Sequence, residues 1–192
     1  MTVGIAVVLA LVVLAVLWVV MVYNGLVQLR NNVAKAWANI DVALKQRHDQ
    51  LPKLVEVCRQ YKQFEQETLE RVIAARAQVA SAAEKHDIPA LGTAEGALHA
   101  GLGRIFAVAE AYPELRSNEQ FMQLQAAITA LENALADRRE FYNESVNLLN
   151  VRIEQFPDAL IASLFGFAPH TLLRFAEDEK TDVDIKALFD AR

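Results

Sequence analysis

The chain has 192 residues, a formal net charge of −5 and a hydrophobic fraction of 54%. A single cysteine excludes an intramolecular disulfide, and with it the class of small secreted domains that disulfides hold together. The acidic excess lies in residues 87–192, with seventeen Asp and Glu against nine Lys and Arg. Nucleic acid is therefore not expected as a partner, because its phosphates need to be neutralised by cations.

The sequence opens with an apolar run of 21 residues, from Val3 to Tyr23, that carries no charge. As a helix, this run is long enough to cross a hydrocarbon core of about 30 Å while satisfying its own backbone hydrogen bonds. A cleaved signal peptide is the alternative, but it needs a basic leader and a small-residue cleavage site, whereas Trp18, Met21 and Tyr23 close this run. We predict a transmembrane helix that contains Val3, Trp18 and Tyr23, and a lipid bilayer as partner.

Charges next to the run predict its orientation. The first charged residues after Tyr23 are Arg30 and Lys35, which precede Asp41. Because cationic flanks tend to stay in the cytoplasm, the pattern favours an outside N-terminus and a cytoplasmic domain.

A helical stripe of apolar residues follows the membrane run without a linker. It recurs every three or four residues from Leu26 to Ala83 and keeps its phase through Pro52. We predict one helix that continues from the membrane to about residue 86, a rod on the order of 120 Å, with a kink at Pro52.

Two further helices are predicted. Residues 86–93 form a turn, and Thr93, or the stretch just before Glu95, caps a helix that runs to Tyr112. Ser117, three residues before Gln120, has the spacing of a capping box and opens a third helix that Pro157 stops.

The predicted fold is all-α. One N-terminal transmembrane helix continues into a long helix of an antiparallel, coiled-coil-like helical bundle, and an irregular apolar and acidic C-terminal tail follows. The predicted segments are 1–23 for the anchor, 24–156 for the bundle, and 157–192 for the tail.

Polar residues on or near the apolar stripes are candidates for setting the register between helices, because an unpaired polar group there is costly. They are Arg47, Arg139, Tyr142 and Asn143. A partner-binding groove is the alternative interpretation of the same residues.

The tail contains large apolar residues around Gly166 and Pro169 that need to be covered. They either cap the bundle of their own chain or contact a neighbouring copy or partner. The candidate contact residues are Phe156, Pro157, Phe165, Phe167 and Phe189. The acidic residues beyond Phe175 are either a docking peptide or a disordered end.

Catalytic chemistry is not expected from these motifs. No pair of Glu-x-x-His motifs, phosphate-binding loop or nucleophile elbow is present. Glu95 and His99 form a lone i, i+4 pair, which is usually a solvated face, and Cys58 lies on an apolar stripe. We predict a non-enzymatic protein without a cofactor or metal.

Four motifs resemble the LemA family. They are YNGLVQLRNNVAKAWANIDVALKQRHDQLPKLVE from Tyr23, AYPELRSNEQFMQLQ from Ala111, RREFYNESVNLLN from Arg138 and FPDALIASLFGF from Phe156. The resemblance implies a bacterial inner-membrane protein with an anchored helical bundle and no established catalytic activity. It also implies roles in assembly, in the envelope or at organelle membranes. Some members face the periplasm, which is the alternative orientation.

Two non-enzymatic functions are compatible with these features. The first is a membrane-anchored scaffold or assembly protein that forms a homo-oligomer through its helical stripes and C-terminal segment, with other membrane or envelope proteins as further partners. The second is a membrane-tethered regulatory adaptor that recruits a soluble partner through the acidic tail.

Overall fold

The computed structural model describes residues 2–61 and 65–175, and those ranges contain helices and no strand. The predicted all-α fold is confirmed. The six helices are α1 Thr2–Arg59, α2 Gln66–Glu84, α3 Ile88–Glu110, α4 Pro113–Arg116, α5 Glu119–Glu154 and α6 Asp158–Leu164.

The first helix is shorter than predicted. It continues from the apolar run through Gly25 and contains Pro52 in its interior, but it ends at Arg59 instead of near residue 86. The amides of Gln60 and Tyr61 bond to carbonyls only three residues back, at 3.3 and 3.1 Å. Such tightened bonds are common where a helix ends. The apolar stripe could not reveal this end, because α1 and α2 carry stripes that are in phase.

The cap of α3 also differs from the predicted one. Asp87 is the N-cap residue, and its carboxylate accepts a 3.0 Å hydrogen bond from the amide of Ala90. Pro89 lies in the first turn, where its missing N–H costs nothing. Thr93 is therefore inside the helix, and its hydroxyl donates to the carbonyl of Pro89 at 3.2 Å.

The third predicted helix, α5, begins one residue later than the capping-box pattern suggested. The side-chain oxygen of Asn118 accepts from the amide of Phe121 at 3.0 Å, so Asn118 is the cap. Ser117 instead ends the short helix α4, and its hydroxyl donates to the carbonyl of Glu114 at 3.2 Å. Asn and Ser are about equally good N-cap residues, so the capping-box spacing of Ser117 could not distinguish it from Asn118.

The described residues form two compact units. The first unit contains residues 2–40 and 137–172. Within it, the rings of Trp37 and Tyr142 have centroids 5.8 Å apart, and the guanidinium of Arg138 donates to the backbone oxygen of Asn39 at 3.1 Å. Trp37 of α1 contacts Tyr142 of α5, and Asn39, two residues later on α1, contacts Arg138, four residues earlier on α5. The two segments are therefore antiparallel.

The second unit contains residues 41–61, 65–136 and 173–175. Segments of α1 and α5 pack there with α2 and α3 around an apolar core. Its buried members include Leu44, Leu51, Leu54, Leu69, Val72, Val79, Leu91, Leu98, Leu102, Ile105, Phe121, Leu124 and Ile128. The predicted segment boundaries after residues 23 and 156 stay a prediction.

A glycine in α3 permits a close backbone approach in the second unit. A Cβ atom added at Gly92 would lie 1.9 Å from the backbone oxygen of Arg174. Gly103, on the same helix, has open space at the equivalent position. The backbone of the C-terminal segment can therefore approach α3 closely because Gly92 has no side chain.

We expect Gly92→Ala and Gly103→Ala to have opposite effects. The first should lower the free energy of unfolding by about 1–3 kcal/mol, because the backbone of Arg174 has to move away. The second should raise it by about 0.5–1 kcal/mol, since alanine favours helix over glycine. Chemical denaturation of the full chain in detergent measures both, and equal effects at the two positions would contradict this packing.

Candidate functional site

The N-terminal part of α1 exposes apolar side chains on every side. Within the described residues, α1 is the one helix that is long and apolar enough to cross a membrane. Leu14 is 62% exposed, and Val3 and Met21 are also exposed. The environment changes near Tyr23, since Val22 and Leu26 are fully covered by the chain. An apolar surface of this size is typical of a membrane contact.

An aromatic cluster lies directly after the apolar run, in the first unit. We call Tyr23, Arg30, Phe165 and Phe167 the boundary cluster. The ring of Tyr23 has its centroid 4.8 Å from that of Phe165 and 6.0 Å from that of Phe167. The guanidinium carbon of Arg30 lies 5.4 Å from the centroid of the Phe167 ring, in cation–π range.

Helix α6 packs beside this cluster. Its Ile161 and Ala162 share a buried apolar core with Val22 and Leu26 of α1, and Val19, Ile153 and Phe167 flank that core. The C-terminal segment thus covers part of α1 of its own chain.

The candidate contact residues of the tail have different surroundings. Phe167 is half-buried, and Pro157 follows a cis peptide bond with Phe156. Phe156 is 78% exposed, and Phe165 is 50% exposed although its ring contacts that of Tyr23. Phe189 lies outside the described residues, as does the acidic tail from residue 177.

Two polar side chains hold the segment that follows α6. The hydroxyl of buried Tyr142 donates to the backbone oxygen of Thr171 at 3.1 Å, and burial raises the pKa of Tyr142. Asn150 bonds the backbone of His170 twice, donating to its oxygen and accepting from its amide, both at 2.9 Å. The sequence analysis did not single out Asn150. The available signals were its amide side chain, which can both donate and accept, and its position one helical turn after Val146 on the apolar stripe of α5. Arg139 and Asn143 are half-buried in the same unit.

Arg47 is the centre of a buried ion network in the second unit. Its guanidinium donates to the carboxylate of Glu95 on α3 and to that of Glu132 on α5, and it is only 2% exposed. Burial alone would lower the pKa of Arg47, but the two carboxylates outweigh that effect and raise it. One side chain therefore connects α1, α3 and α5.

The structure corrects the expectation for Glu95. It is buried and paired with Arg47, so it does not lie on a solvated face. Burial raises its pKa, against the opposing effect of Arg47. The side chain of His99 contacts Glu132 instead of Glu95, with its Nδ1 3.0 Å from the Glu132 carboxylate.

A second polar contact connects α1 with α2. Arg76 donates through Nε to the backbone oxygen of His48 at 3.0 Å, and its Nη2 lies 2.6 Å from Nε2 of the His48 ring. Partial burial, together with the charge of Arg76, lowers the pKa of His48. A hydrogen bond from the Arg76 guanidinium to Nε2 of His48 requires that this nitrogen carries no proton.

The described residues offer little reactive chemistry. No group of three or more metal-ligating side chains comes together in residues 2–61 and 65–175. Cys58 is completely buried, and burial raises its pKa to about 12. A thiol that remains protonated and inaccessible is unsuited to nucleophilic attack.

We expect Arg47→Met to lower the free energy of unfolding by about 3–5 kcal/mol, because it leaves a buried carboxylate without its partner. Arg71→Met is the matched control. It removes an exposed Arg71–Glu67 pair on α2, and exposed pairs contribute about 0–1 kcal/mol. Denaturant titration of both variants makes the comparison, and a loss at Arg47 no larger than that at Arg71 would contradict a structural role for the network.

Comparison with known proteins gives matches to magnetosome proteins. The magnetosome protein MamQ 2 of Paramagnetospirillum magneticum is 33% identical over 78 residues, which cover 41% of this chain and 29% of that protein. The magnetosome protein MamQ of Magnetospirillum gryphiswaldense is 32% identical over the same length. This chain thus spans less than a third of the length of the magnetosome proteins it matches.

A second kind of relative matches over most of the chain. The protein LemA of Metamycoplasma hominis is 25% identical over 166 residues, which cover 86% of this chain and 74% of that protein. The sequence profile of the LemA family matches residues 36–187. That range includes three of the four motifs in full and most of the fourth, together with both the Arg47 network and α6. The chain therefore belongs to the LemA family and is a membrane-associated helical protein.

Proposed function

We propose that this protein is a non-enzymatic scaffold or assembly protein, anchored by one passage of residues 3–23 through the bacterial inner membrane, that associates with further copies of itself. Arg30 and Lys35 favour a cytoplasmic position for the helical domain. Labelling of an exposed α5 position with a membrane-impermeant reagent, from each side of the membrane, tests that orientation. A periplasmic domain is the alternative outcome.

One observation carries the proposal of self-association, namely a second apolar stripe on α5. The inner side of α5 is buried in the first unit at Tyr142, Val146 and Leu149. On its outer side, Phe141, Leu148 and Val151 are each more than half exposed. Their spacings of seven and three residues place them on one face of the helix. A helix with apolar stripes on two sides is typical of one that packs against neighbours on both.

A second copy of the chain is the occupant that fits this stripe. The spacing matches the a and d positions of a helical seam, which an identical helix can complement. A shared membrane anchor also confines copies to one surface and raises the frequency of their encounters. In the C-terminal segment, Phe167 already packs against Tyr23 of its own chain.

The names of the relatives suggest where such an assembly works. Some relatives are named as proteins of the magnetosome, and we propose a comparable role at a membrane system for this chain. The alternative function, a tethered adaptor that recruits a soluble partner, depends on residues 177–192, which lie outside the described residues. Deletion of those residues would then abolish capture of a partner without affecting membrane localisation.

We expect the full chain in mild detergent to form a particle larger than one 21.4 kDa copy, with a mass that does not change on dilution. The double variant Phe141→Gln/Leu148→Gln should reduce the particle to one copy, since it makes the outer stripe polar. Val42→Gln is the control, because Val42 is equally exposed but lies on α1. Light scattering after gel filtration measures the mass. A monomeric wild-type chain, or identical particles for both variants, would contradict self-association through α5.

A further inference from the structure

Helix α6 carries apolar side chains that its own chain leaves uncovered. Leu160 is 61% exposed, which is comparable to the 62% of Leu14 inside the apolar run, and Leu164 is more exposed, at 75%. Phe156 and Phe165, just before and after α6, are also at least half exposed. Leu160 and Leu164 are one turn apart, so they share a face of the helix.

The position of α6 indicates what covers this face. Ile161 and Ala162 share their buried core with Val19, Val22 and Leu26, which lie across the end of the apolar run. Val19 is four residues before Tyr23, or about 6 Å deeper along the helix axis. Helix α6 therefore packs on the last turns of the proposed membrane span, which places it near the depth of the headgroup boundary.

The polar groups near α6 suit the same location. Within α6, the one charged residue is Asp158, which is buried and paired with Arg152. Arg30 lies against Phe167 on the water side of Tyr23. Phenylalanine and leucine inserted into the acyl boundary, with arginine at headgroup level, is the arrangement of an interfacial helix.

We propose that α6 is a second membrane contact, which inserts Phe156, Leu160, Leu164 and Phe165 into the same leaflet from which α1 emerges. The ligand is the acyl and headgroup boundary of the bilayer rather than a second protein. This contact would fix the first unit against the membrane surface, whereas a single span alone would leave it free to rotate. The inference rests on the proposed membrane span and does not depend on self-association.

Quenching by brominated lipids tests the contact in the full-length chain. In a Cys58→Ala background, single cysteines replace Leu160, Leu164, Leu14 or Glu140, and each receives the environment-sensitive fluorophore NBD. The proteins are reconstituted into phosphatidylcholine and phosphatidylglycerol vesicles, with or without bromine on the acyl chains. Glu140 is the matched control, because it is exposed on α5 in the same unit but 14 residues before the end of that helix.

We expect a loss of NBD emission at residues 160 and 164 comparable to that at residue 14, and no loss at residue 140. Quenching at residue 14 alone would overturn the second contact while leaving the membrane span intact. Absence of quenching at residue 14 would instead overturn the span itself. NBD emission at residue 160 could instead depend on the protein-to-lipid ratio and not on bromine. That result would show that a second copy of the chain covers this face, and it would also overturn the proposal.

An added variant separates insertion of α6 from an effect of the fluorophore. With NBD at residue 156, the change Leu160→Ser/Leu164→Ser should reduce quenching by brominated lipid, because the face loses its apolar side chains. Val42→Ser is the control, since it changes an exposed apolar side chain on α1 that belongs neither to α6 nor to the outer stripe of α5. Equal quenching in both variants would show that the fluorophore inserts without α6.

Discussion

Apolar side chains surround α1 on all sides up to Tyr23, whereas only one stripe of the helix is apolar beyond it. A helix with this pattern needs an apolar environment around its first part and protein on one side of its second part. The features around Tyr23 follow from that change of surroundings. The boundary cluster, the core of Val22 and Leu26 with α6, and the uncovered leucines of α6 all lie where the change takes place.

Within the second unit, a different interaction holds the helices in register. Three helices converge on the guanidinium of Arg47, whose partners Glu95 and Glu132 come from α3 and α5. A buried arginine with two carboxylates is weak support for stability in itself, but it penalises any shift of one helix that separates the charges. We propose that the network selects one alignment among the several that apolar stripes of equal spacing allow.

The sequence was informative where a local rule decides the outcome. The apolar run follows from its length and lack of charge, and the all-α fold and the apolar stripes follow from periodicity. The end of α1 at Arg59 was missed because the stripe stays in phase across it. The cap at Asn118 was missed because Ser117, another capping residue, stands next to it. The cap at Asp87 was missed because Pro89 and Gly92, which favour a turn, lie in the first turns of α3. Arg47 was identified as a polar residue on a stripe. Its partners could not be predicted, because they depend on which helices pack together. Glu95, however, is also a charged residue on an apolar stripe, that of α3.

The central claim is that one unbroken helix leads from the membrane into the folded part of the first unit. Hydrogen exchange of the full chain in lipid nanodiscs, read at single-residue resolution, tests it most directly. Amides of residues 24–30 should exchange as slowly as those of residues 33–40, because both lie within α1 and bond to carbonyls of the same helix. Exchange at residues 24–30 as fast as that of an unstructured peptide would show a flexible joint after Tyr23 and would contradict the claim.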